Sequence, residues 1–114
     1  MHSTYKQGDI ILVPYPFTDL TETKQRPVII ISKDSANKGN FIVAKITSVI
    51  RGDEFSFSLN ECETTPSMPK ISEVRTNEIL TIYKTIIRKK LSRLSKLSFK
   101  ELSLIIKDNI SVEE

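Results

Sequence analysis

The chain's 114 residues, 39% hydrophobic and 27% charged, suit a single globular domain over residues 1–114 with one modest core and no room for a second. Lys and Arg number 17 against 14 Asp and Glu, and the +3 net charge gathers in Arg88, Lys89, Lys90, Arg93, Lys96 and Lys100, which fits nucleic acid, an acidic partner or a solvated face alike. His2 is the only histidine and Cys62 the only cysteine, which argues against a Ser-His-Asp triad, a paired-histidine nuclease, a histidine-bearing zinc site and any internal disulfide. Cys62 reads as an inert thiol.

Gly8-Asp9 opens the first apolar run, Ile10 to Val13, a strand that Pro14 and Pro16 are expected to stop. Phe17 to Gln25 reads as a polar loop with Phe17 its one large apolar member. Val28 to Ile31 is β-branched throughout, too short for a helix, and predicts a strand buried on both faces. Asp34 to Asn40 carries turn residues, Phe41 to Thr47 is a third strand, and Arg51-Gly52-Asp53 a turn. From Glu54 to Leu59 polar and apolar residues alternate, which directs Phe55, Phe57 and Leu59 inward.

A loop from Cys62 to Pro69 leads to two short strand candidates, Ile71 to Arg75 and Ile79 to Ile82, while Thr85 to Leu94 fits a strand or a helix. Ser98 with Glu101 makes a capping box, with Leu97 and Leu102 at staple positions. The stripe Phe99, Leu102, Ile105 and Ile106 then predicts an amphipathic helix from about Ser98 to Ile110. No apolar run approaches the ~20 residues of a membrane span and no secretory leader opens the chain, so the expectation is a cytoplasmic protein without a membrane contact. The pattern predicts class α+β, an antiparallel barrel of short strands with a C-terminal helix.

Chemistry concentrates at two strand ends. Pro27 forces Arg26 out of helical geometry into an extended or turn conformation. Thr47 and Ser48 close the third strand. A guanidinium from one end and two hydroxyls from the other suit a phosphate gripped between them.

The segments Gly8-Asp9-Ile10-Ile11-Leu12-Val13-Pro14-Tyr15-Pro16-Phe17, then Lys24-Gln25-Arg26-Pro27-Val28, then Ile46-Thr47-Ser48, resemble the MazF/PemK-like toxins of type II toxin–antitoxin pairs. Ser72-Glu73-Val74-Arg75, Ile79 to Lys84 and Lys90 to Ser95 agree in order and spacing, and the resemblance runs from about Lys6 to Ile110. It implies a small SH3-like barrel that forms a homodimer and cuts single-stranded messenger RNA at short sequences without a metal or other cofactor. The 2′-hydroxyl would be the nucleophile, leaving 2′,3′-cyclic phosphate and 5′-hydroxyl ends. It implies a cognate antitoxin partner with an acidic, disordered tail. By position it makes Arg26 and Thr47 the central catalytic pair, with Ser48 beside them.

That reaction needs the 2′-hydroxyl deprotonated, the phosphorane charge stabilised and the leaving oxygen protonated. Arg26 and Thr47 suit the second task. Phe17 is a candidate for stacking on an unpaired base and Lys24 for steering the backbone. The resemblance also carries departures. Many members hold a glutamate in the loop before the Arg-Pro motif, where Glu22 stands here and is the candidate base. One branch is proposed to use an Arg-x-Asp element as acid and base; the matching stretch is Arg75-Thr76-Asn77, an amide such as Asn77 is no base at neutral pH, and Arg75 and Asn77 stand with Phe17, Glu22, Lys24 and Ser48 as candidate RNA contacts. Two rival functions share the barrel: a CcdB-like gyrase-binding toxin that cuts nothing, and a catalytically degenerate member that only binds nucleic acid. The acidic, aromatic-free ending Ile110-Ser111-Val112-Glu113-Glu114 argues against the first, and Asn77 leaves the second open.

Overall fold

The computed structural model describes residues 4–15, 24–60 and 64–114. Six strands, β1 (Asp9–Tyr15), β2 (Lys24–Ile30), β3 (Asn40–Thr47), β4 (Ser56–Ser58), β5 (Glu73–Tyr83) and β6 (Lys89–Arg93), form one antiparallel sheet in the order β4-β5-β3-β2-β1-β6. One helix, α1 (Lys96–Asn109), follows β6. The sheet curls toward closure. Past β4, Thr64 bridges Leu94 and the Thr65 amide donates to the Arg93 carbonyl at 2.9 Å, so chain leaving one edge strand meets the other. The outcome is the α+β half-barrel with a terminal helix that the sequence predicts.

The central strands are apolar on both faces, and the two faces build two cores. Ile10, Ile29, Ala44, Ile46, Phe57, Val74 and Leu102 form one, against which Phe99, Ile105 and Ile106 of α1 pack. Ile11, Val13, Val28, Ile30, Phe41, Val43 and Ile82 form the other. Alternate residues of a strand go to opposite faces, so neighbours such as Ile10 and Ile11 serve different cores. Full burial of each such side chain contributes roughly 1.5–3 kcal/mol, and that is what fixes the register of β1, β2 and β3.

Three local readings need correction. Pro14 does not end its strand. The Leu12 carbonyl accepts from the Arg88 amide, so residues of that parity face β6, whose pairing with β1 stops at Leu12. Pro14 directs its missing N–H beyond that point and removes no ladder bond. The two short strands after the loop are one strand, β5, with a bulge: Ala44 opposes Ile79 but Lys45 opposes Arg75, leaving Thr76, Asn77 and Glu78 as extra residues. In the sequence their polarity reads as a gap between two strands.

The helix starts a turn early. Ser95, not Ser98, is the N-cap, its Oγ accepting from the Ser98 amide at 3.2 Å. Leu97 is 75% exposed and staples nothing, whereas Leu94 and Phe99, which flank the true cap at the staple positions, share one core. The undecided stretch ahead of it resolves as a short 3-10 turn, Lys84–Ile86, followed by β6.

Candidate functional site

β2 and β3 pair with Val28 opposite Lys45 as the last ladder position. Continuing that register by two residues sets Arg26 opposite Thr47, so the two strand ends come together. Arg26, Thr47 and Ser48 line one cleft of about 470 Å³. Its apolar lining includes Pro27, Ile46, Met68 and Leu91, and its remaining cations are Lys45, Arg51 and Lys70. Among the described lining residues none is acidic. Lys45 is tied to Glu78 at 3.5 Å, while Arg26 and Arg51 are exposed and have no ion pair among the described residues. A cleft of this kind, lined by apolar side chains, hydroxyls and cations, attracts an anion and orients it by hydrogen bonds.

Thr47 Oγ1 accepts from the Val49 amide at 3.1 Å, a local strand-end contact. That bond uses a lone pair and leaves the hydroxyl hydrogen to donate, so the contact fixes the oxygen without disabling it.

The other sequence-named residues are dispersed. Lys24 is exposed at the start of β2 and does not line the cleft. Phe17 and Glu22 lie outside the described residues. Asn77 is exposed on the β5 bulge, away from the cleft lining. Arg75 is buried and bonded through all three of its nitrogens. Its Nη1 donates to Glu73 Oε2 at 2.7 Å, to Asp53 Oδ1 at 2.9 Å and to Ser56 Oγ at 2.9 Å. Its Nη2 donates to Asp53 Oδ2 at 3.0 Å and its Nε to Glu78 Oε2 at 3.3 Å.

Hydrogen bonds from Arg75 bring the Asp53 carboxyl down from 3.8 to about 2. Burial alone pushes the Glu73 carboxyl up, but bonds from Ser56, Arg75 and the amides of Gly52 and Arg51 outweigh it and leave the group below its ordinary value. The Asp53 and Glu73 bonds in turn push the Arg75 guanidinium further up. These are the signs of an ionic network that engages all three nitrogens of Arg75 with Glu73, Asp53, Ser56 and Glu78.

Sequence reasoning missed Arg51 and Lys70 as cleft residues. Arg51 sits one residue ahead of a glycine in what reads only as a turn, and its signal was a cation placed shortly after the Thr47-Ser48 strand end. The basic stretch near the end is partly structural: Lys90 and Arg93 reach the fully buried Asp9 Oδ1 at 3.2 and 3.4 Å. Among the described residues no group of three or more His, Cys, Asp or Glu is placed to hold a metal ion, and no helix is long and apolar enough to cross a membrane.

Residues 6–110 match the family model for the PemK-like, MazF-like toxin of type II toxin–antitoxin systems. No match is found among curated protein sequences. Solved structures do match. A MazE–MazF complex from Deinococcus radiodurans superposes with TM-score 0.75 at 14% identity, covering 97% of this chain and 100% of that one. An endoribonuclease from a mycobacterial species gives 0.74 at 14%, covering 100% and 98%. The Mycobacterium tuberculosis toxin MazF-mt6 gives 0.70 at 18%, covering 93% and 99%. At these identities the superpositions speak for the fold.

Proposed function

This chain belongs to the PemK-like, MazF-like toxin family of type II toxin–antitoxin systems, and on that premise we propose that it is a metal-independent endoribonuclease that cuts single-stranded messenger RNA in the cytoplasm. The observation that carries the reading is the cleft in which Arg26, Thr47 and Ser48 meet among further cations and no described carboxylate. Solved neighbours described as endoribonucleases support it.

In the proposed reaction the ribose 2′-oxygen attacks phosphorus, the bond to the 5′-oxygen breaks, and a 2′,3′-cyclic phosphate and a 5′-hydroxyl result. Charge grows on the non-bridging oxygens as the phosphorane forms. Arg26 offers two parallel N–H donors to those oxygens and Thr47 one O–H donor, both stronger toward the transition state than toward the ground state. A guanidinium does not readily give up a proton, so Arg26 serves first as electrostatic stabiliser and second as donor to the leaving oxygen. The described lining holds no group fit to take the 2′-proton. Glu22, two residues ahead of β2 in the chain, is the proposed base. Lys24 and Phe17 are the proposed outer contacts to the RNA, and Arg75 and Asn77 take no chemical step.

The partner in this reading is a cognate antitoxin, as one mycobacterial neighbour is in complex with its own, and the working unit is a homodimer. The test is cleavage of a long single-stranded RNA by purified wild type, Arg26→Ala and Thr47→Ala. Each variant is expected to lose about 10²–10³ in rate. Wild-type rates in both variants would overturn the assignment of the site.

A further inference from the structure

We infer that the buried Glu73–Arg75 pair is a positioning device for Arg51, and that Arg51 binds a second phosphate of the RNA, beside the one held by Arg26 and Thr47; this rests on the endoribonuclease reading above. Glu73 and Arg75 have side chains only 2% and 4% exposed. Burying such a pair brings little stability over apolar residues of similar volume, so its use lies in what it holds.

What it holds is the Arg51-Gly52-Asp53 turn. Glu73 Oε2 is taken by Arg75 and by Ser56 Oγ, both at 2.7 Å. Its other oxygen accepts from two successive amides, Arg51 at 3.1 Å and Gly52 at 3.3 Å. Arg75 grips the far side of the turn through both oxygens of Asp53. Gly52 has φ +58, a conformation that other residues seldom adopt, and it lets the chain reverse directly after Arg51.

The turn is thus fastened at the Arg51 amide and again at Gly52 and Asp53 directly after it, and Arg51 lines the cleft with Arg26, Lys45 and Lys70. Lys45 is paired with Glu78, but Arg26, Arg51 and Lys70 gather without a lining carboxylate and repel one another in the free protein, and a polyanion threading the cleft relieves that repulsion. A fixed guanidinium away from the scissile group adds to binding more than to the chemical step.

The test is initial-rate kinetics on a single-stranded RNA across a salt series, using wild type, Arg51→Ala, Arg51→Lys, Glu73→Gln and the Arg51→Ala/Glu73→Gln double variant. Arg51→Ala is expected to raise KM about tenfold with kcat within about twofold, and to lower the slope of log affinity against log salt by about 0.7. Arg51→Lys is expected to restore the slope. Glu73→Gln is expected to copy the KM rise, and the double variant to be no worse than Arg51→Ala, because both act through one contact.

Wild-type KM and salt slope in Arg51→Ala overturn the inference while leaving the nuclease reading intact, as does a double variant whose losses simply add. Wild-type RNA kinetics with weakened inhibition by polyglutamate overturn it in favour of an acidic protein partner. Wild-type protein that neither binds nor cuts RNA overturns both. Arg51 is exposed, so its two variants carry the test even if Glu73→Gln fails to fold.

Discussion

Replacing Arg75 by alanine separates a residue that acts on substrate from one that acts inside the fold. The change deletes the cation between Glu73, Asp53 and Glu78 and leaves the Glu73 carboxylate buried with only Ser56 and two amides as partners. Removing one partner of a buried ion pair typically costs about 3–5 kcal/mol. Asp53 and Glu78 are 42% and 37% exposed, and water readily replaces the lost cation for them. The Glu73 contribution therefore dominates, and the expected loss is about 3 kcal/mol. For a chain of this length each kcal/mol moves Tm by roughly 4 °C, which gives a fall of about 12 °C.

Circular-dichroism melts and urea unfolding at pH 7 read this directly. The pairing of Arg75→Met with Glu73→Leu is expected to be less destabilised than Arg75→Ala, because no charge is stranded. A variant that melts within about 3 °C of wild type yet has lost RNA cleavage would refute the reasoning, and would return Arg75 to the reaction itself.

Two further outcomes follow from the same structure. Ser95→Ala is expected to cost about 1 kcal/mol in urea unfolding and Ser98→Ala under about 0.5, since only the first serine caps α1. Equal losses would contradict the assigned cap. Acid also weakens the Arg75 network: Asp53 and Glu73 sit below their ordinary values of 3.8 and 4.5, so their contribution is present above those values and drains away as pH falls below them, that of Asp53 toward about 2. A pH series of melts should show that acid-side slope in wild type and a flatter one in Asp53→Asn.

Much of the fold is legible in the sequence because burial dictates it. The β-branched run at Val28 has no stable home except a strand covered on both faces, and the Phe99–Ile106 stripe must lie on a core. The cleft was half legible: Arg26 and Thr47 stand at strand ends, and the β2–β3 register brings them together. What stayed hidden is non-local. Nothing in Arg75-Thr76-Asn77 announces that a bulge turns Arg75 inward onto a turn 22 residues earlier, at Asp53. The Ser98–Glu101 box is the cap signal in the sequence, and only the end of β6 at Arg93 sets α1 to begin after Ser95 instead. Arg51 reads as a turn residue because the carboxylate that anchors it comes from β5.

The central claim is tested most directly by mapping the product ends after wild-type protein meets a long single-stranded RNA in EDTA. The account predicts discrete cuts at a short recurring sequence, with 5′-hydroxyl and 2′,3′-cyclic phosphate ends. Intact RNA, or cuts that appear only when a divalent metal is restored, would contradict it.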